Sequence, residues 1–525
     1  MEEYTANIIK GPYLVILSIV LFIQMSNSSI AGQIMSFFTI DPIVDECDAV
    51  YKDVSTGHCD IDAMCKAGIN IVLNTTETLD NWSTMFKLYC PRDKEYVNYV
   101  RLAYFIASLV FPLCISNFPD YYGRMRILNI LMILMLISFG LMLIKHKIVH
   151  LIGMILSGGL LMIYNLISQI ITEFYDASIR GTVTGIFFSG IPICGIGYVF
   201  VFYIYKSLDY FWYILIGTQL LSIILLNVFY VESPIWLLSN NEKKKCMEYL
   251  TRVSKWNCKT KQLLLEFQLK LNENETNTNN ENVKQNKKYS YIDVFRYKSI
   301  RNIIFKICPY WTVVLLFDFV VFLNLDNSGK DVYLHAIDIF AACTVSAFIA
   351  GLLADCLGRK ALMIISALLS CVAYTLQPYF AMKANEDQLY HILNMAMLFT
   401  ACISIETAFT VVVIYSAEVF PTSIKGTAGG VLFTLTRIGA IVSPYVVAEL
   451  KYPQVVVSGC LIVTMFIICT VSETKGKKLK EEVDEVEKER EDKEREEGKD
   501  NNENIDLIPE EYHNNRDDGN LLVIN

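Results

Sequence analysis

The sequence predicts an all-α membrane protein in which twelve transmembrane helices form two six-helix pseudo-repeats. Three observations carry that expectation. Near-continuous apolar runs of about 20 residues recur along the chain, the length that crosses a ~30 Å hydrocarbon core as a helix. Three charged signatures occur twice, in the same order and at nearly constant spacing. The basic side chains between the runs fall mostly in alternate loops.

The runs begin near residues 11, 97, 127, 148, 181, 209, 302, 335, 361, 389, 426 and 453, and "ILNILMILMLISFGLMLI" (Ile127 to Ile144) is typical of them. With 525 residues, 53% of them hydrophobic, and a mean hydropathy of +0.38, the chain is too long and apolar for an ordinary soluble domain. The first run lacks the basic n-region and small-residue cleavage site of a removable signal peptide, and further runs follow it. It is expected to be retained as an anchor.

The polar segments divide the chain. Residues 1–35 form the N-terminus and first span, and 36–95 a long loop. Spans two to six occupy 96–231, a linker 232–301, the second set of six spans 302–471, and a tail 472–525. The net charge is −9, but residues 481–525 hold 18 acidic and 6 basic side chains, which leaves residues 1–480 at +3. The tail stretch "EEVDEVEKEREDKEREE" has the mixed-charge pattern of a solvated segment. No basic patch interleaved with aromatics points to nucleic acid.

Four of the 15 cysteines, Cys47, Cys59, Cys65 and Cys90, lie in the 36–95 loop with two glycosylation sequons, at Asn74 and Asn81. Together they predict an oxidising, extracytoplasmic loop with two disulfides, for which three pairings are open. A zinc site using His58 is the competing reading; the spacings contain no CxxC pair and so disfavour it. With that loop outside, alternation puts Arg124/Arg126, Arg180, Arg359/Lys360, Lys425 and "KGKKLK" inside, with both termini cytoplasmic. Lys145 to Lys147 are the exception.

The signatures themselves are an internal duplication. Glu173, Arg180, Gly181, Thr182 and Gly185 map onto Glu418, Lys425, Gly426, Thr427 and Gly430 at a constant offset of 245. Asp120, Gly123 and Arg124 map onto Asp355, Gly358 and Arg359 at 235, and Glu232 onto Glu473 at 241. In each D-x-x-G-R the Asp can cap a helix N-terminus, the Gly permits a tight turn and the Arg can reach a carboxylate. Two charge clusters follow: Asp120–Arg124–Glu173–Arg180 and Asp355–Arg359–Glu418–Lys425. Static surface pairs would contribute little; two copies in register favour gates that bias the rocking of one repeat against the other.

Asp120-Tyr-Tyr-Gly-Arg124 and Gly351-Leu-Leu-Ala-Asp-Cys-Leu-Gly-Arg-Lys360 resemble the loop signature of the major facilitator superfamily. "ESPIWLLSNNEKK" from Glu232, "ETKGKKL" from Glu473 and "YSAEVFPTSIKGTAGG" from Tyr415 resemble segments of its organic cation, anion and zwitterion transporters. The long cysteine-bearing first loop favours that group over sugar porters. The resemblance covers about residues 10–480 and implies a plasma-membrane carrier of small organic ions. Three positions depart from the family pattern. Ser116 stands where Gly is usual and implies a looser helix contact in the first half, while Ile235 and Lys425 replace Arg.

Charges inside spans are costly, so Asp318, Glu406 and Arg437 are expected to face a central cavity and meet an ionic substrate. Arg437 pairing with either acid for structure alone is the bland alternative. In the resembled family the Arg437 position leans toward anions or zwitterions, whereas the two acids lean toward cations. Asn165 and Gln169 share one helix face, and Gln24 and Trp311 complete the candidate lining. No HExxH, GxSxG, P-loop or His-rich metal set occurs, so neither a membrane enzyme nor an ATP-driven pump is expected, and no cofactor. The rival readings are a hexose porter and a non-transporting receptor or scaffold; a coupling ion is left open.

Overall fold

Eleven helices among the described residues are long and apolar enough to cross a membrane, and a twelfth, Pro453–Ile468, is shorter at 16 residues. The computed structural model describes residues 2–38, 40, 42–44, 61–67, 73–74, 77–176, 178–259, 261–278, 289–323, 332–383, 388–450 and 452–476. Cys47, Cys59, part of the linker and the acidic tail beyond Gly476 lie outside them.

The first six spans are α1 (Pro12–Gln33), α2 (Pro91–Ile115), α3 (Arg124–Met142), α4 (Lys147–Phe174), α5 (Arg180–Tyr205) and α6 (Asp209–Val228). The second six are α7 (Lys298–Leu323), α8 (Val332–Leu357), α9 (Arg359–Lys383), α10 (Gln388–Val419), α11 (Lys425–Glu449) and α12 (Pro453–Ile468). Most are apolar all round, as helices surrounded by lipid and other helices must be. Residues such as Ile224, Phe305, Val372 and Phe466 point outward from the bundle. The fourth span is two helices, Lys147–Gly159 and Met162–Phe174, and α2 is extended by a short turn, Phe118–Tyr122.

Two seams join the halves. Along α5 and α8, a Cβ on Gly185 would stand 2.5 Å from the Ala347 carbonyl oxygen, so only glycine allows this approach. Along α2 and α11, Gly430 faces the Ser116 side chain. The hydroxymethyl that replaces the family glycine is accommodated by the glycine opposite, and this seam is the less extensive of the two.

One end of the bundle carries the repeated charges; the other carries the 36–95 loop. At the charged end the linker forms helices Pro234–Ser239, Lys243–Trp256, Lys261–Thr278 and Tyr291–Arg296. Asn257 fastens the N-terminal segment by donating to the Ile8 and Ile9 carbonyls and accepting from Tyr13 N. At the loop end, Cys65 and Cys90 form a disulfide, which selects one of the three pairings for these two residues.

The two sequons differ in their surroundings. Its side chain is fully buried, and Nδ2 donates both its hydrogens, to Phe37 O at 3.2 Å and Ile40 O at 2.9 Å. Its Oδ1 caps the short helix Trp82–Met85. A glycan would replace one Nδ2 hydrogen and so break one of these bonds, and we propose the half-buried Asn74 as the preferred acceptor. Asn74→Gln alone should abolish the glycosidase-sensitive mobility shift in a glycosylating host. Asn81→Gln should keep the shift but lower stability by about 1–3 kcal/mol, the penalty of leaving buried partners unpaired. A shift lost only in Asn81→Gln would restore the original assignment.

Candidate functional site

The charged end is closed by reciprocal capping. A helix begins with backbone N–H groups that have no intrahelical acceptor and carry a partial positive charge. Asp120, on the turn after α2, supplies acceptors to the start of α11 in the other half. Gly426 N donates to its Oδ1 at 3.0 Å, and Thr427 N and Oγ1 donate to its Oδ2 at 2.7 and 2.8 Å. Asp355, near the end of α8, does the same for α5. Gly181 N donates to its Oδ1 at 3.1 Å, and Thr182 N and Oγ1 donate to its Oδ2 at 2.7 and 2.8 Å. The glycine at each helix start is required, because a Cβ on Gly426 or Gly181 would press into the capping carboxylate at 2.7 or 2.5 Å.

The arginines hold these carboxylates in place. Arg124 is fully buried and pairs with Asp120 and, at 3.1 Å, with Glu173; its Nη2 crosses to the other half's Thr422 carbonyl at 3.0 Å. Arg359 grips Glu418 in a two-pronged contact at 3.0 and 2.8 Å and reaches Asp355 at 3.1 Å. Each arginine opens a helix immediately after a glycine in a conformation that disfavours side chains, Gly123 at φ 108° and Gly358 at φ 96°. The third repeated acid explains those glycines. Glu232 accepts from Met125 N and Arg126 N at the start of α3, and Glu473 accepts from Arg359 N and Lys360 N at the start of α9. A Cβ on Gly123 or Gly358 would collide with these carboxylates at 2.5 and 2.7 Å. Burial holds the Glu232 carboxyl above its ordinary value despite those bonds. At Glu473 desolvation pushes the same way, but the N–H groups of Lys475, Arg359, Lys360 and Thr474 prevail and hold it below.

At the centres of the two expected clusters, Arg124 joins Asp120 to Glu173 and Arg359 joins Asp355 to Glu418. Arg180 donates Nε to the Tyr175 carbonyl at 3.0 Å, and Lys425 reaches across to Thr172 Oγ1 at 3.0 Å. Both sit at the first position of a helix, from which Arg180 turns back to its own half's Tyr175 and Lys425 crosses to the other half.

Above the closed end lies a cavity of about 560 Å³, a size suited to a small organic molecule. Asp318 of α7, Glu406 of α10 and Arg437 of α11 all line it, as the sequence predicts. Glu406 Oε1 accepts from Cys343 Sγ at 3.6 Å, and Arg101 of α2 lines the same cavity as the two acids. Arg437 does not pair with them: no carboxylate lies within 4.0 Å of it among the described residues. Its guanidinium bonds to Tyr164 Oη and stacks 3.9 Å from the centre of the Phe433 ring. Tyr104, Phe188 and Phe409 add aromatic walls, and the exposed Tyr99 and Tyr445 stand at the loop end of the lining. The wall aromatics are not distinguishable by sequence from packing residues.

Gln24, Asn165, Gln169 and Trp311 do not line this cavity, contrary to expectation. They are buried beneath it, where Asn165 and Gln169 face Gly429 of α11 across the seam. Closing the charged end brings α4 and α11 together over them.

The paired bundles thus enclose a cavity lined by aromatic rings and by acidic and basic side chains, above an end where the two halves cap each other's helices. The profile of the sugar (and other) transporter family matches residues 70–486, and the chain belongs to that family within the major facilitator superfamily. It is 26% identical over 326 residues to organic cation/carnitine transporter 2 of Rattus norvegicus, covering 60% of this chain and 55% of that protein. It is also 26% identical over 272 residues to solute carrier family 22 member 1 of Sus scrofa, covering 49% and 45%. The chain thus spans about half the length of the curated relatives it matches. Among solved structures it resembles the proton:xylose symporter XylE bound to 6-bromo-6-deoxy-D-glucose, with a TM-score of 0.58 at 15% identity over 91% of this chain and 98% of that one. A partially occluded inward-open form of XylE from E. coli gives 0.55 at 15% identity, over 91% and 100%.

Removing Arg124 alone strands Glu173 in the interior. Arg124→Ala should therefore cost about 3–5 kcal/mol, whereas Arg124→Met with Glu173→Leu should recover most of it. Thermal unfolding of the purified variants measures both, and equal loss in the single and double variants would contradict the buried-pair account. Asp120→Ala, which keeps the Arg124–Glu173 pair, should instead expose the seam. Labelling of a cysteine placed at Thr422, in a background without the exposed native cysteines, should speed up about tenfold or more.

Proposed function

We propose that the chain transports small organic ions across the plasma membrane, with its charged end and both termini toward the cytoplasm. The two six-helix halves rock about the cavity, and the reciprocal Asp caps hold the cytoplasmic side shut while the cavity is accessible from the loop side. The observation that carries this reading is the cavity's lining: Asp318, Glu406, Arg437 and Arg101 set among aromatic walls, with Arg437 turned to Tyr164 and Phe433. An uncharged sugar calls for hydroxyl-matching amides. Of the amides, Gln33 lines the cavity, whereas Gln24, Asn165 and Gln169 are packed beneath its floor. The family membership and the organic-ion names of the relatives support the same substrate class.

The roles divide along the cavity. Asp318 and Glu406 would meet the cationic group of a substrate, and the aromatic faces of Tyr104, Phe188 and Phe409 would pack against its apolar parts. Arg437, always protonated, would meet a carboxylate when the substrate carries one. The amides and Trp311 would become accessible only when the floor parts.

Uptake into proteoliposomes across a panel of organic cations, organic anions, carnitine-like zwitterions and hexoses tests the reading. Organic ions should be taken up, and hexoses should not compete. Binding without flux for every member would point to a receptor, and hexose uptake alone would point to a sugar porter. Arg437→Asp should reduce carboxylate-bearing substrates selectively, by about tenfold or more in apparent affinity, while cation uptake is retained. Because Arg437 is not ion-paired, a Glu406→Arg or Asp318→Arg exchange should not rescue it. Rescue with equal loss for all substrates would show a structural role instead.

A further inference from the structure

We infer that Ser29, Gln33 and Tyr104 form a hydroxyl-binding subsite on the first half's wall of the cavity, and that the organic ions this chain carries bear a hydroxyl group as well as a charge. The inference rests on the transport reading above and narrows its substrate class.

A serine inside a helix commonly returns its hydroxyl to a carbonyl of the preceding turn. On α1, Ser18 donates to Leu14 O at 2.6 Å, Ser26 to Phe22 O at 3.1 Å and Ser28 to Met25 O at 2.9 Å. Ser29 departs from this habit. Its Oγ is buried without a hydrogen-bond partner among the described residues, and the residue lines the cavity. Gln33 stands one turn further along the same face, and its Oε1 is buried and unpartnered in the same way. Between them lies Gly32, where a Cβ would stand 2.6 Å from Tyr104 Oη. That close approach sets the phenol of α2 against this turn of α1. Tyr104 Oη also has no partner among the described residues, in a side chain only 1% exposed that lines the cavity. An unpaired buried polar group is costly, and a ligand that pairs with all of these accounts for their gathering at one turn of the cavity wall.

The set matches a hydroxyl. An amide oxygen only accepts, whereas a phenol or an alcohol both donates and accepts. An aliphatic O–H on the ligand can donate to Gln33 Oε1 while accepting from Tyr104 and Ser29. An ether or a ketone would leave the Gln33 oxygen unpaired. The charged lining groups lie mainly on the other half: Asp318 of α7, Glu406 of α10 and Arg437 of α11 face the same space, with Arg101 on α2. A hydroxylated ion is thereby held by both halves at once. A hexose would set its remaining hydroxyls against the aromatic walls, so this one subsite does not make a sugar site.

The full-length chain in proteoliposomes tests this with two series of graded chain length, ω-hydroxyalkyl trimethylammonium ions and ω-hydroxyalkanoates. Each probe is compared with its unhydroxylated and methoxy counterparts, which carry the same charge. At the best-fitting length the hydroxylated ion should exceed both counterparts by about tenfold or more in apparent affinity for uptake. Tyr104→Phe keeps the ring and removes its oxygen, and Gln33→Met keeps the length and removes the amide. Each should bring that ratio close to one. Thermal stabilisation of the purified wild type by the same probes reads the preference without any variant. Equal values for hydroxylated and unhydroxylated probes at every length in both series, or a preference retained undiminished in both variants, overturns the subsite. Hydroxyl-dependent stabilisation with no flux of any organic ion would instead sink the transport reading and leave the subsite standing.

Discussion

Each half of this molecule finishes the other's helix. The unsatisfied N–H groups at the start of α11 are capped by Asp120 from the first half, and those at the start of α5 by Asp355 from the second. Because the donors and acceptors belong to different bundles, these bonds exist only when the two bundles meet at the charged end. Hydrogen bonds to charged groups contribute about 1.5–3 kcal/mol each when compared with loss of one partner. Water replaces much of that once the seam opens, so the net bias is a few kcal/mol. That is the range a conformational switch needs, since moving between 1:99 and 99:1 takes about 5.5 kcal/mol.

The remaining charged machinery serves those two carboxylates. Arg124 and Arg359 hold them from behind, Glu173 and Glu418 hold the arginines, and Glu232 and Glu473 cap the helices on which the arginines sit. Gly123 and Gly358 leave room for the last contact. Opposing this closure is the cavity floor. Gln24, the Gln169 oxygen and the Trp311 indole nitrogen are buried there with no hydrogen-bond partner among the described residues. Unsatisfied groups of this kind cost about 1–3 kcal/mol each. On the alternating-access reading proposed above, opening the charged end would give them water or substrate, so the floor would pull against the lock.

Most of the architecture was legible in the sequence because it is written in patterns that need no third dimension. Apolar run length gave the spans, and the constant offsets tied Glu173 to Glu418, Asp120 to Asp355 and Glu232 to Glu473. The three intramembrane charges were legible because burying them has no cheap explanation. What sequence could not reveal is which half a partner comes from. The capping of α11 by Asp120 spans about three hundred positions, and nothing local separates it from pairing within one half. The fates of Arg180 and Lys425 were hidden for the same reason. Gln24, Asn165, Gln169 and Trp311 were misplaced because a polar side chain in a span reads identically whether it lines a cavity or waits beneath its floor. At Asn81 the sequon is a local signal, and only the fold reveals the two carbonyls that its amide holds.

The central claim is that the reciprocal caps set the balance between a closed and an open charged end. Spin labels at Tyr122 and Leu357, both exposed and in opposite halves, would report that balance by double electron–electron resonance in lipid nanodiscs. The account predicts one dominant short-distance population in the otherwise unaltered protein. In Asp120→Ala/Asp355→Ala it predicts a second, longer population of comparable size. An unchanged distance distribution in the double variant, with the protein still folded, would contradict it.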